Sequence, residues 1–273
     1  VSLIPDRPEV HAMFSISIYA YGLLFLCMAA SATWLLSLPL RNVSIVDSLW
    51  SLLFMLAGWT YATLGGMPMN GRSLLVLTLV TVWAVRLSVY ITWRNRGHGE
   101  DPRYQAIRAR NQPHFALKSL YLVFGLQAVL AWIISLPLLG ATLSAQPLGP
   151  WDVAGTLAWL VGITFEAGGD WQLARFKADV KNRGRVMDRG FWRFTRHPNY
   201  FGDFCVWWGL YLIAAAGGAW WSVAGPLLMS VLLMRVSGVT LLEKDISTRR
   251  PEYVDYIKRT NAFFPGPRRE KRT

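Results

Sequence analysis

The sequence has 273 residues, of which 53% are hydrophobic, 14% aromatic and only 16% charged. Soluble domains carry about 25% charged residues, so this composition excludes a disordered chain and a collagen-like chain. Its only cysteines, Cys27 and Cys205, exclude a disulfide framework and a cysteine-rich metal site.

In chain order, seven segments approach the ~20 apolar residues that a ~30 Å hydrocarbon core requires. They are 13–38, 45–64, 73–93, 120–143, 153–169, 200–216 and 220–242. The first is too long for a cleaved signal peptide, and its flank is mixed in charge rather than basic. The net charge of +12 is not spread evenly. Six basic residues lie from Arg94 to Lys118, eight from Arg175 to Arg196 and nine from Lys244 to Arg272, whereas the connections 144–152 and 217–219 hold none. The positive-inside rule then puts the three basic regions in the cytosol.

The sequence therefore predicts an all-α integral membrane protein with seven transmembrane helices, N-terminus outside and C-terminus cytosolic. It predicts one membrane-embedded domain over 1–273, with cytosolic loops 94–119 and 170–199 and a cytosolic segment 243–273. The expected location is the inner membrane of a bacterium or the endoplasmic reticulum of a eukaryote. Basic stretches that adjoin spans, with no nucleic-acid motif beside them, argue against a nucleic-acid partner. Membrane lipids are the expected partners, and a single chain suffices. The 23 basic residues of the three regions exceed what orientation needs, which points to an anionic cytosolic ligand or an anionic lipid surface.

Ionisable residues inside spans are costly and usually functional. Asp47, Arg86, Glu166, Asp170, Asp203 and Arg235 are such residues. Asp47 near the start of the second span also reads as an acid complementing a helix N-terminus. Helical spacing places Trp83, Arg86, Tyr90 and Trp93 on one face, either a packing stripe or a polar, aromatic cavity wall. Glu166 and Asp170 are an i, i+4 pair of like charge that calls for a compensating cation, with Arg175 and Lys177 as candidates.

The most specific stretch runs from Met187 to Asp203 and contains Arg196-His197-Pro198-Asn199-Tyr200. Pro198 suits the first turn of a helix. His197 and Asn199 then lie at a helix N-terminus, a place suited to phosphate. A second stretch, Arg249 to Thr260 followed by Phe263-Phe264-Pro265, is too polar to span and reads as an amphipathic surface helix.

These two stretches resemble the steroid 5-alpha-reductase-like membrane family, including its bacterial branch. The resemblance runs from about Asp47 to Pro265 and is strongest over Glu166–Asp203 and Tyr253–Pro265. Similar elements occur in isoprenylcysteine and phospholipid methyltransferases, which use S-adenosylmethionine, and in the sterol delta-14 and delta-7 reductases, which use NADPH. The resemblance implies a seven-helix enzyme that binds NADPH from the cytosol and reduces the double bond of a 3-oxo-delta-4 steroid or similar enone lipid. It implies cofactor contacts by Asp170, Asn199 and Asp203, by the intramembrane Arg86 and Arg235, and by Asn95, Arg96 and Arg185 of the loops. Lys177 stands where the family has an arginine, with Arg175 close by. The shared elements add His197, Tyr200, Tyr253 and Tyr256 to this set. Val46-Asp47 occupies the place of the family's catalytic Gln-Glu pair, and Trp83 that of its catalytic tyrosine, with Tyr90 farther along the same face.

Hydride addition to an enone drives negative charge onto the ketone oxygen, where one donor is worth ~3–4 kcal/mol if it acts like an oxyanion-hole bond. Asp47 in protonated form and Tyr90 are the expected donors. Arginine forks suit the phosphates of NADPH, and no Gly-x-Gly-x-x-Gly fingerprint points to a Rossmann site. The alternative is an S-adenosylmethionine-dependent membrane methyltransferase acting on a lipid or prenyl group. A non-catalytic lipid-binding protein has no need of Asp47, Asp203 and three basic regions together.

Overall fold

The computed structural model describes residues 14–66, 69–236 and 252–269. The predicted span ends at 13 and 237–242, and the start of the predicted surface helix at 249–251, lie outside the described residues. Among the described residues the regular structure is helical, with an isolated bridge between Thr195 and Asn261. The chain divides into two compact units, Val1–Asp152 with Ile213–Ala224, and Val153–Leu212 with Gly225–Thr273.

The first unit is built on α1 (Ile16–Leu40), α2 (Val46–Leu64), α3 (Gly71–Asn95), α4 (Pro102–Arg110), α5 (Phe115–Ile134) and α6 (Leu136–Thr142). Local chemistry sets the helix ends. Ser15 caps α1 by accepting the Ile18 N–H, and Asn70 caps α3 by accepting the Ser73 N–H. Asp101 caps α4, where Pro102 takes the first position, whose N–H needs no partner. Residues Leu120–Gly125 widen to a π-helical turn inside α5.

α2 is the central helix of this unit, packed on α1, α3 and α6. Its Leu53, Phe54, Ala57 and Tyr61 are wholly buried, as are Val76, Val80, Trp83 and Ala84 of α3. Lipid tails are as apolar as leucine, so close packing and internal hydrogen bonds, rather than escape from water, hold such helices together. Tyr61 bonds Ser135 at 2.8 Å, the Tyr19 hydroxyl donates to Trp132 O at 3.2 Å, and Ser51 donates to Ala84 O at 2.8 Å. At the start of α3, the buried guanidinium of Arg72 makes a two-pronged contact with Asp152 at 2.9 and 2.8 Å. It also donates to Ser144 Oγ and to the carbonyls of Gln146 and Pro147.

The second unit contains most of α7 (Pro150–Ala178) and α8 (Pro198–Ala216), the greater part of α9 (Trp220–Val236), and α10 (Glu252–Arg259). Glycine lets α7 and α8 touch backbone to backbone. A Cβ on Gly162 would strike Gly202 O and Val206 N, one on Gly202 would strike Gly162 O and Glu166 N, and one on Gly209 would strike Gly155 O and Trp159 N. Gly155 and Gly162 are seven residues apart, as are Gly202 and Gly209. Small residues spaced along a seam are a way helices bring their backbones close.

Among the described residues, four helical segments are long and apolar enough to cross a bilayer: Ile16–Leu40, Val43–Leu64, Gly71–Asn95 and Phe115–Ile134. Trp220–Val236 is apolar but shorter. The predicted segments 153–169 and 200–216 lie within α7 and α8, whose acids and Trp and Tyr residues make them less apolar. The apolar helices mark the chain as an integral membrane protein.

Candidate functional site

Among the described residues, each unit holds a constellation of polar side chains around residues singled out in the sequence. In the first unit it forms where the entry to α2 meets the loop that leads into α4. Glu100 accepts the Val43 N–H at 2.9 Å and the Arg108 guanidinium at 2.8 and 2.7 Å. The Asp101 N–H donates to Ser44 Oγ, and Arg108 donates to Arg41 O. This latch brings the first turn of α4 onto Asp47. Arg103 Nη2 donates to Asp47 Oδ2 at 2.9 Å, and the Tyr104 hydroxyl donates to Oδ1 at 2.5 Å. Gln127 of α5 donates to the Tyr104 oxygen at 3.2 Å.

The electrostatics follow from these contacts. Burial works to raise the Glu100 carboxyl, but the hydrogen bonds from Arg108 and Val43 and the Arg108 charge outweigh it and hold it below its usual range. Asp101 is likewise held low against burial by its bonds to Arg103. Burial and the neighbouring Asp47 push the Tyr104 phenol up, so it stays a proton donor at neutral pH.

The expected residues of this unit are distributed as follows. Asp47 sits in the first turn of α2, and its two carboxyl oxygens accept from Arg103 and Tyr104. The phenol that reaches it is Tyr104, from the first turn of α4. Tyr90 lies under two guanidinium groups, with Arg86 5.6 Å and Arg94 5.9 Å from its ring. Trp83 is wholly buried and packs edge-on against Phe54. Asn95 ends α3 and accepts from Arg94, and Arg96 is exposed just beyond it.

In the second unit the constellation forms around the Arg-His-Pro-Asn-Tyr turn. Pro198 starts α8, as its fixed φ favours, with His197 buried just before it. The C-terminal segment holds this turn from outside. Thr195 donates to Phe263 O at 2.7 Å, Arg196 donates to Thr260 O at 2.6 Å, and the Arg196 N–H donates to Asn261 O. From α10, the Tyr256 hydroxyl donates to Trp192 O at 2.5 Å, and burial pushes this phenol up. Asp188 pairs with Arg268 at 2.5 Å. From α7, Gln172 accepts the Phe191 N–H, and Gly169 O accepts the Trp192 indole N–H. Gly190 adopts φ 57, a left-handed conformation that favours glycine, directly against Gln172.

Glu166, Asp170, His197 and Asp203 are all buried in this unit. Asn199 and Tyr200 are half-buried, and the Tyr200 ring stacks with His197 at 5.7 Å. Tyr253 and Tyr256 are buried 5.3 Å apart. Arg175, Lys177 and Arg185 are exposed, and Arg175 lies over the Trp171 ring. Arg235 is exposed on the π-helical turn Leu232–Val236. The second unit thus holds exposed guanidinium groups, which suit phosphate oxygens, and buried acids.

Tyr104 and Arg103 are the residues that sequence reasoning missed. The signal available was the run Glu100-Asp101-Pro102-Arg103-Tyr104, in which an Asp-Pro pair marks a capped helix start. No solved structure matches the chain. It is 25% identical over 278 aligned positions to an uncharacterized protein of Schizosaccharomyces pombe, an alignment covering 90% of this chain and 79% of that protein. Residues 33–260 match a family model described as a protein of unknown function, DUF1295, and the chain belongs to that family.

Proposed function

We propose that the chain is an NADPH-dependent membrane reductase acting on the double bond of a 3-oxo-delta-4 steroid or a similar enone lipid. The observation that carries this reading is the Arg-His-Pro-Asn-Tyr turn of the second unit, with its buried acids and exposed arginines. Arg175 and Arg185 would grip phosphate, and Asn199, Asp170 and Asp203 would hold the polar rings. When bound, NADPH supplies the hydride. By the resemblance, Asp47 and Tyr90 would hold the ketone. The chain would cross the membrane seven times, N-terminus outside, with its basic segments in the cytosol.

One observation favours a second reading. Three buried acids in the second unit, Glu166, Asp170 and Asp203, also suit the cationic sulfonium of S-adenosylmethionine. That reading makes the chain a lipid methyltransferase. Turnover separates the two: incubation with NADPH and a panel of 3-oxo-delta-4 steroids gives the saturated ketone if the first holds. Methyl transfer to lipid in place of reduction would establish the second.

A further inference from the structure

The two ends of the first unit differ in charge. Where α2 stops and α3 starts, the charged side chains among the described residues are Arg72 and Asp152, buried and paired with each other at 2.8 Å. At the other end, hydrogen bonds gather the end of α1, the start of α2, the end of α3, α4 and the start of α5. Arg108 donates to Arg41 O, Thr92 to Ser48 Oγ, the Trp34 indole to Ala116 O and Lys118 to Asn111 O. The carboxylates of this end, Asp47, Glu100 and Asp101, are taken up by Arg103 and Arg108. Arg41, Arg94, Arg96 and Arg110 are exposed there and form no ion pair among the described residues. Beside these charges the apolar rim is bare: Trp93 and Tyr121 are each 62% exposed and Leu117 64%. Trp and Tyr at the ends of spans settle at the headgroup level of a bilayer.

We propose that this end of the first unit binds the headgroups of anionic phospholipids, with Arg41, Arg94, Arg96 and Arg110 supplying the charge and Trp93 and Tyr121 setting the depth. The inference rests on the apolar helices and their charged end, and holds whether or not the chain is a reductase. A guanidinium grips phosphate through two parallel bonds, and its long stem reaches from a helix end to the headgroup. A zwitterionic lipid also offers phosphate, but its own ammonium group cancels the charge. A soluble anion would satisfy the guanidinium groups and leave the bare rings beside them in water; a lipid covers both. Each basic side chain close to an anionic membrane surface strengthens binding about fivefold, and salt screens that attraction beyond ~10 Å at 0.1 M.

The test uses the whole detergent-purified protein with phosphatidylglycerol or phosphatidylcholine of identical acyl chains, added as mixed micelles, and glycerol 3-phosphate as a soluble headgroup. A lipid that binds only the folded state raises the unfolding temperature, and the concentration dependence of the rise gives its affinity. In low salt, wild type should bind phosphatidylglycerol at least about 25-fold more tightly than phosphatidylcholine, the effect of two engaged charges. Most of that preference should go in high salt, and glycerol 3-phosphate should give no rise. Arg41→Gln and Arg110→Gln should each lower the affinity for phosphatidylglycerol about fivefold and leave that for phosphatidylcholine unchanged. Arg41→Lys and Arg110→Lys, which keep the charge, should keep the preference. Trp93→Ala should weaken both lipids alike, because the ring reads no charge. Equal binding of the two lipids, a preference indifferent to salt, or one that survives both glutamine substitutions overturns the proposal. So does a rise with glycerol 3-phosphate that matches phosphatidylglycerol, which would mark a site for a soluble anion. The wild-type comparison and its salt dependence decide the matter if a variant does not fold.

Discussion

The latch around Asp47 and the clamp around Thr195 both fix a loop against a helix start, by opposite means. The latch relies on charged side chains that water reaches, with Arg103 45% and Arg108 32% exposed. The clamp relies on bonds from buried side chains to main-chain carbonyls, through Thr195, Arg196 and Tyr256. Exposed ion pairs are worth about 0–1 kcal/mol each and weaken with salt. Leaving one buried carbonyl without its donor costs about 1–3 kcal/mol. The first unit therefore holds its polar segment more reversibly than the second holds its turn.

The largest blow to this contrast is a side chain in the glycine seam on which the clamped turn is mounted. Gly202→Leu pushes a side chain into the backbone of α7, where no flexible group can yield. It should cost about 3 kcal/mol, the upper end of ordinary overpacking, and lower the unfolding temperature in detergent by several degrees. Next comes Thr195→Val, which keeps the shape but strips the hydroxyl from two carbonyls. Its expected cost is about 1–3 kcal/mol, read by the same melt. Tyr256→Phe should cost about 1 kcal/mol through the lost bond to Trp192 O. Glu100→Gln should cost about 1 kcal/mol, part of it weakening in high salt as the Arg108 pair is screened, whereas the clamp variants should be indifferent to salt.

Acid sharpens the same comparison. Glu100 and Asp101 have folded values below their unfolded ones. Their contribution is therefore complete above the unfolded range, near pH ~4, and is lost as pH falls through the lower folded values. Hydrogen exchange should show the loop 100–110 opening on acidification while the turn 195–199 stays protected. Simultaneous opening of both would contradict the division between latch and clamp.

Much of this architecture is readable in the chain, and the unreadable part has a physical reason. Long apolar runs announce α1, α2, α3 and α5, because a bilayer sets both length and composition. Pro198 announces the start of α8, and the alternation of charge and tyrosine from Glu252 to Arg259 announces α10. The partner of Asp47 was not readable. Tyr104 lies 57 residues away, and no local pattern records a pairing across such a distance. The charges of loop 94–119 read as an orientation signal, which masks the ion pairs Glu100–Arg108 and Arg103–Asp47 inside it. Tyr90 is favoured by helical spacing on α3, yet spacing along one helix says nothing of which neighbouring loop covers Asp47.

The central claim is that the arginine-flanked turn of the second unit binds a phosphorylated dinucleotide. A ligand that binds only the folded state must stabilise it, so the most direct measurement is the unfolding temperature of the detergent-purified protein with NADPH, NADH or S-adenosylmethionine. The account predicts a clear rise with NADPH, a much smaller one with NADH, and none with S-adenosylmethionine. A rise with S-adenosylmethionine and none with NADPH would contradict it.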